Sequence, residues 1–197
     1  KVALANAGLA APANLEAYDL CVRSRDRWSI SKSANDEARL FLERAIALDP
    51  IYCEAHWLLA NTLIFSWLVW GDAQEPNHRD ALKLVRRAVE IDPNDSTARS
   101  TLGYMLLYDR RWADAEREYD AAVRLGPNNA HVFADVAYFH VMNGRPQDAL
   151  SAAARALRLN PRPSGWYFWI TGTAQVASGQ YESAVATLRR EETYRSA

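Results

Sequence analysis

Only two cysteines occur in the 197-residue sequence, Cys21 and Cys53, with neither CxxC spacing nor a histidine pair beside them. That usage argues against a disulfide framework and a zinc site. It suits a reducing cytoplasm, with both thiols in the core, where free cysteine usually lies. Glycine is scarce as well, at eight residues. None of these forms a phosphate-cradling loop, and no G-x-S-x-G or H-E-x-x-H motif is present. The four histidines, His56, His78, His131 and His140, include no metal pair at i, i+4 and are expected to be structural. No apolar run approaches the roughly 20 residues of a bilayer span: the longest, around Trp57 to Trp70, is broken by Asn61, Thr62 and Ser66. Charge of one sign is missing too. Lys and Arg number 23 against 24 Asp and Glu, a net charge of -1, which argues against a general nucleic-acid binder. Acidic pairs such as Asp36-Glu37, Glu116 with Glu118 and Glu191-Glu192 lie among arginines, where i, i+4 pairing and solvation account for them. The sequence therefore predicts no catalytic, cofactor-binding or metal-binding residue, no membrane span and no nucleic-acid partner.

What is present is enough apolar residue, 49% of the chain, to bury a core of ordinary domain size. Residues 1–13 combine Lys1 with small apolar residues, interrupted by Asn6 and Gly8 and without an initiator Met. They read as a linker from a longer protein rather than a signal peptide.

The chain repeats itself. Leu48-Asp49-Pro50, Ile91-Asp92-Pro93, Leu125-Gly126-Pro127 and Leu159-Asn160-Pro161 align, with prolines 43, 34 and 34 residues apart. Twelve residues before each proline stands an alanine, Ala38, Ala81, Ala115 and Ala149, and Ala184 follows after a one-residue slip. Seven residues further on come Ala45, Ala88, Ala122 and Ala156. Two antiparallel helices pack closely only where side chains are small, and alanine does this with no helix-propensity penalty. The proline then ends the second helix, because it has no amide donor and clashes with the preceding turn. Each unit reads as helix A, turn, helix B, stop. Units 96–129 and 130–163 fill the period without gaps, with Gly144 suited to a left-handed helix end and Trp112 placed to cover its hairpin.

This pattern resembles the tetratricopeptide repeat family, whose motif runs W-x2-L-G-x2-Y, then A-x3-F and a final P. The matching residues are Leu102, Gly103, Ala115, Tyr119, Ala122 and Pro127. The resemblance implies an all-α, right-handed superhelical solenoid of about five antiparallel helix hairpins, with approximate repeats at 14–52, 53–95, 96–129, 130–163 and 164–197. It also implies a concave surface lined by the A helices, onto which Glu54, Trp57, Asn61, Phe65, Tyr104, Tyr108, Tyr138, Trp166 and Trp169 would project. Relatives that hold acidic chaperone tails use a Lys and Asn clamp, of which only Asn61 remains. The face is aromatic instead, a composition enriched at interface hot spots, so the expected partner is a protein or peptide segment with apolar anchors, another part of the same parent chain included. Packing between neighbouring helices is the more frequent reason for Trp and Tyr at helical spacing and stands beside that reading. An oligomer is compatible with either reading.

Three units depart from the pattern. The second carries nine extra residues near Gly71 to Arg79, so its first helix is overlong or its loop projects. The first has a helix A from Asn14 to Trp28, with Asn14 as N-cap, followed by a polar run from Ser29 to Asn35. The fifth keeps Gly172, Gly179, Ala184 and Leu188 but has Glu191 where alanine is expected and no closing proline. With no polar capping helix after it, the natural chain is expected to continue.

Asn14 to Arg23, Ala45 to Pro50 and Trp166 to Gly172 together look like the C-terminal repeat region of bacterial class III adenylate or guanylate cyclase-like proteins. That resemblance implies a non-catalytic regulatory or assembly arm of a larger bacterial signalling protein. Similar arms follow winged-helix domains in transcription regulators, and a free-standing scaffold is the third reading.

Overall fold

Each proline of the repeated tripeptide stands two residues beyond a helix end, and the helices between prolines come in pairs. The computed structural model describes residues 14–25 and 27–190. The 1–13 linker and the irregular end around Glu191 lie outside the described residues. The A helices are α1 (Leu15–Ser24), α3 (Cys53–Leu68), α5 (Ser96–Tyr108), α7 (Ala130–Met142) and α9 (Gly165–Ala177). The B helices are α2 (Lys32–Leu48), α4 (Gln74–Ile91), α6 (Trp112–Leu125), α8 (Pro146–Leu159) and α10 (Tyr181–Leu188). Among the described residues no strand occurs, and no helix is long and apolar enough to cross a membrane.

The two helix types differ because their sequences differ. A B helix is amphipathic and buries one narrow stripe: Ala81, Val85 and Ala88 in α4, Ala115, Tyr119 and Ala122 in α6, Ala149, Ala153 and Ala156 in α8. The repeated alanines are these stripe residues, all at most 2% exposed. The inner A helices are apolar on most sides and are therefore buried nearly all round; α7 buries Val132 through Phe139 without a break, whereas the first, α1, buries one stripe of Ala17, Leu20, Cys21 and Ser24. Helices α3, α5 and α7 each pack on the A helices before and after them as well as on their own B helices, and α9 packs on α7 and α10. The A helices thus form a continuous inner layer, backed by the B helices. This is a solenoid of five helix hairpins.

Capping residues start the A helices. Asn14, Asp95 and Asn129 each accept two backbone N–H bonds of the first turn, Asp95 Oδ1 from Thr97 and Ala98 at 2.8 Å, which satisfies donors the helix cannot. Gly144 ends α7 with φ +68°, as its place in the sequence requires. Trp112 covers less of its hairpin than expected, being 39% exposed at the start of α6.

The nine extra residues of the second unit are spread along it. Relative to the third unit, α3 has 16 residues against 13 and α4 has 18 against 14; the connection has the remaining two. Of the turn-rich string, Gln74 to Asn77 form the first turn of α4, so no long loop projects. The first unit is also revised: α1 stops at Ser24, Arg27–Ser29 form a 3-10 turn, and most of the polar run is the start of α2, capped by Ser31.

Candidate functional site

The inner layer places four of the predicted aromatics, Tyr104, Tyr108, Tyr138 and Trp169, in one connected array. Tyr104 of α5 stacks on Tyr138 of α7 with ring centroids 5.5 Å apart, and Tyr138 meets Trp169 of α9 at 5.4 Å. Tyr108, one helical turn after Tyr104, contacts it at 5.2 Å and Trp67 of α3 at 5.2 Å. The hydroxyl of Tyr108 lies 3.4 Å from that of Tyr104 and 3.3 Å from that of Tyr138. Tyr104, Tyr108 and Trp169 are half-buried; Tyr138 is buried. Each ring therefore packs on its neighbours, and all but Tyr138 keep part of their surface in water.

Beside the ladder lies a cavity of about 40 Å³. Five of the predicted residues line it: Asn61, Phe65, Tyr104, Trp166 and Trp169. Tyr108 and Tyr138 join it through the ladder. Trp57 is set apart, its ring 6.5 Å from that of His131, which in turn meets Trp166 at 4.9 Å, and its indole Nε1 is buried without a hydrogen-bond partner. Glu54, expected on the same face, is buried and held by Arg25, whose Nε and Nη2 donate to its two oxygens at 2.7 and 2.9 Å.

Residues outside the predicted set complete the cavity. Trp28 stands edge-on to Phe65 at 4.4 Å and 6.2 Å from Trp166, so the first hairpin reaches the fifth. Its turn is fixed by Asn35, which donates to Trp28 O at 3.2 Å and Thr62 O at 3.1 Å and accepts from Ser66 Oγ at 3.0 Å. Thr101, His131 and Asp135 supply polar lining. Asp135 Oδ2 accepts from Ser100 Oγ at 2.6 Å and lies 3.5 Å from His131 Nε2. Burial pushes the Asp135 carboxyl above the ordinary range, partly offset by His131 and Ser100. One signal was available in the sequence: Asp135 is the single acidic residue within the apolar helix α7.

Neither cysteine is placed for nucleophilic chemistry. Cys21 and Cys53 are buried and their thiols are pushed far up by desolvation, which opposes the reactive thiolate. Among the described residues no three His, Cys, Asp or Glu side chains converge as a metal site.

A family model for the tetratricopeptide repeat matches residues 74–130 and 140–195, more than half of the chain. The chain belongs to the tetratricopeptide repeat family. Tetratricopeptide arrays are protein-interaction modules, and the fold is typically non-catalytic. The tetratricopeptide solenoid here is similar to that of a thermophilic repeat protein of Thermus thermophilus, with a TM-score of 0.64 at 16% identity over 87% of this chain and 82% of that one; this likeness concerns the fold alone. In sequence, 103 residues are 33% identical to a protein of Rhizobium meliloti (strain 1021) named as an adenylate cyclase, covering 51% of this chain and 18% of the relative. A further 26% identity over 155 residues relates 74% of this chain to 10% of superkiller protein 3 of Schizosaccharomyces pombe. The tetratricopeptide chain therefore spans less than a fifth of the length of either curated relative.

Proposed function

We propose that this chain is the partner-binding arm of a larger bacterial signalling protein of adenylate or guanylate cyclase type, and that it holds an extended or helical protein segment on its concave aromatic face. The observation that carries the reading is the Tyr104–Tyr138–Trp169 ladder, with two half-buried rings along the inner layer. Aromatic side chains give large contact area at low entropic cost and dominate interface hot spots. A segment with apolar anchors would complete the burial of the ladder edge. The cyclase parent is supported by the 33% identity to the Rhizobium meliloti protein; in that setting the arm works in the cytoplasm, and the catalytic domain belongs to another part of the parent.

The test is direct. A peptide selected on the wild-type chain is titrated against Trp57→Ala and Tyr104→Ala variants whose helical circular dichroism is intact. Loss of a hot-spot aromatic weakens binding by roughly tenfold or more, about 1.4 kcal/mol and up. Unchanged affinity in both variants overturns the concave-face reading. The reading frame upstream of Lys1 decides the parent, and a fragment that itself makes cyclic AMP would overturn the non-catalytic assignment.

A further inference from the structure

The cavity beside the ladder is lined by two kinds of chemistry. Most of the lining is apolar, dominated by the rings of Trp28, Phe65, Tyr104, Trp166 and Trp169, and aromatic ring faces carry partial negative charge. The rest is polar. Asp135 belongs to it, a residue 6% exposed whose carboxylate has His131 Nε2 3.5 Å away, beyond the range of a good N–H···O bond.

Two further polar atoms in the lining are left over. Thr101 Oγ1 and Asn61 Nδ2 are buried without a hydrogen-bond partner, in residues only 1% and 9% exposed. Buried polar groups are almost always satisfied, and these two share one small cavity with a carboxylate, where a polar guest would engage all three. The kind of guest follows from charge. An anion would meet a carboxylate and the negative ring faces. A hydrocarbon would leave Thr101 and Asn61 unpaired. A cation gains from the carboxylate and from the rings together.

Size narrows the choice. At roughly 10–15 Å³ of accessible room per water-sized group, the cavity holds about three such groups. That fits an ammonium and its last two methylenes, and is short of a planar guanidinium on its stem. An ammonium has three donors and no acceptor. Asp135, Thr101 and the Asn61 amide supply three acceptors, the amide by turning its oxygen to where Nδ2 now lies.

We propose that this cavity receives the ammonium end of a lysine side chain, carried by the segment that binds the concave face. The delivery of that lysine rests on the concave-face reading, while the cavity's preference for an ammonium does not. Lysine is then the specificity residue, and the ring ladder beside the cavity takes its apolar neighbours.

The whole chain is followed by the indole N–H signals of its tryptophans in ¹H–¹⁵N spectra at about pH 8, where an ordinary imidazole is neutral. It is titrated with n-butylammonium, butan-1-ol, methylguanidinium and tetramethylammonium chloride at matched ionic strength. The expected result is saturable movement of indole signals with n-butylammonium at roughly tenfold higher affinity than with butan-1-ol, and weaker binding of the two bulkier cations. Asp135→Asn brings the ammonium down to the level of the alcohol. Thr101→Val, which keeps the shape, weakens it a few-fold and carries the test where Asp135→Asn loses its helical signal. The proposal is overturned by equal response to alcohol and ammonium, which marks an apolar pocket, by no saturable response, which marks a cavity holding water only, by tighter binding of a bulkier cation, or by folded variants that bind as the wild type does. No peptide enters this titration. Failure here with loss of peptide binding in Trp57→Ala or Tyr104→Ala refutes the lysine cavity alone, and the converse refutes the groove alone.

Discussion

Trp28 and Trp166 lie in one buried cluster, ring centroids 6.2 Å apart and planes at 45°. One belongs to the first hairpin and the other to the fifth. In a repeat stack each unit ordinarily contacts only its neighbours, and stability adds up from units and adjacent interfaces. A ring contact between first and last units breaks that rule and closes the inner face on itself.

A double-mutant cycle of Trp28→Ala and Trp166→Ala is therefore expected to give a coupling energy of about 0.5–1.5 kcal/mol in chemical denaturation. Distant sites without shared partners add to within about 0.5 kcal/mol. Strict additivity of these two substitutions would show that the hairpins at the two ends are energetically independent.

Gly103 of α5 lies against the Tyr119 ring of α6 in the third hairpin. A Cβ on Gly103 would lie 3.1 Å from the Tyr119 ring, and that ring is buried with no room to retreat. Gly103→Val overpacks this contact and is expected to destabilise by about 1–3 kcal/mol. Tyr119→Phe is expected to leave stability unchanged or raise it by up to about 1 kcal/mol, because the phenol oxygen is buried without a partner and its removal ends a desolvation cost. Urea midpoints of the two variants decide both signs.

The hairpin ladder was legible in the sequence because its cause is local and repeated. Ala115 and Ala122 bury the same stripe in α6 as Ala149 and Ala156 bury in α8, and the prolines stop each B helix at a fixed distance. The irregular units were harder. Nine additional residues in the second unit could lengthen helices or a loop with equal ease, and only packing on the neighbouring hairpins distributes them among α3, α4 and their connection. The candidate face was legible one residue at a time, since Tyr104 and Tyr138 recur at the same repeat position and Trp169 stands one helical turn earlier in its own unit. The cavity was not. It needs Trp28, which sits in a turn outside the repeat pattern, and its approach to Trp166 depends on the summed rotation of every hairpin between them.

Acid is expected to destabilise the fold through two histidines. Burial lowers both His56 and His140 from the ordinary value of 6.5, and each has a buried Nδ1 with no partner. The unfolded chain then binds more protons than the folded chain as pH falls through 6.5, so their contribution is complete above that value and is lost below it. Asp95 and Asp135 act in the opposite sense: burial raises both from 3.8, so the folded chain holds their protons longer and they favour folding more as pH falls. The expected outcome is a midpoint of thermal unfolding that declines from about pH 7 to about pH 5.5. The decline flattens in a His56→Gln, His140→Gln double variant, in which the new amide in place of His56 can still donate toward Pro50 O, the 3.1 Å partner of His56 Nε2. An unaltered decline in that variant would assign the acid sensitivity elsewhere.

The junction of the first two hairpins should be the most sensitive polar site of the fold. Glu54 has a side chain 3% exposed, gripped on both oxygens by Arg25 and on Oε2 also by the Tyr52 hydroxyl at 2.8 Å. A buried pair adds little net stability as a whole, but removing one partner leaves the other charge without compensation. Arg25 is itself partly exposed, which places the loss at the lower end of the range for buried pairs: Arg25→Ala is expected to destabilise by about 3 kcal/mol. Arg25→Lys keeps the charge but not the two-pronged geometry, and should recover only part of that loss. Tyr52→Phe removes one neutral donor and should cost about 1–2 kcal/mol. The order Arg25→Ala, then Arg25→Lys, then Tyr52→Phe in denaturant midpoints follows from charge compensation. If Arg25→Lys matched the wild type, a point charge near Glu54 would be enough and the bidentate geometry would contribute nothing.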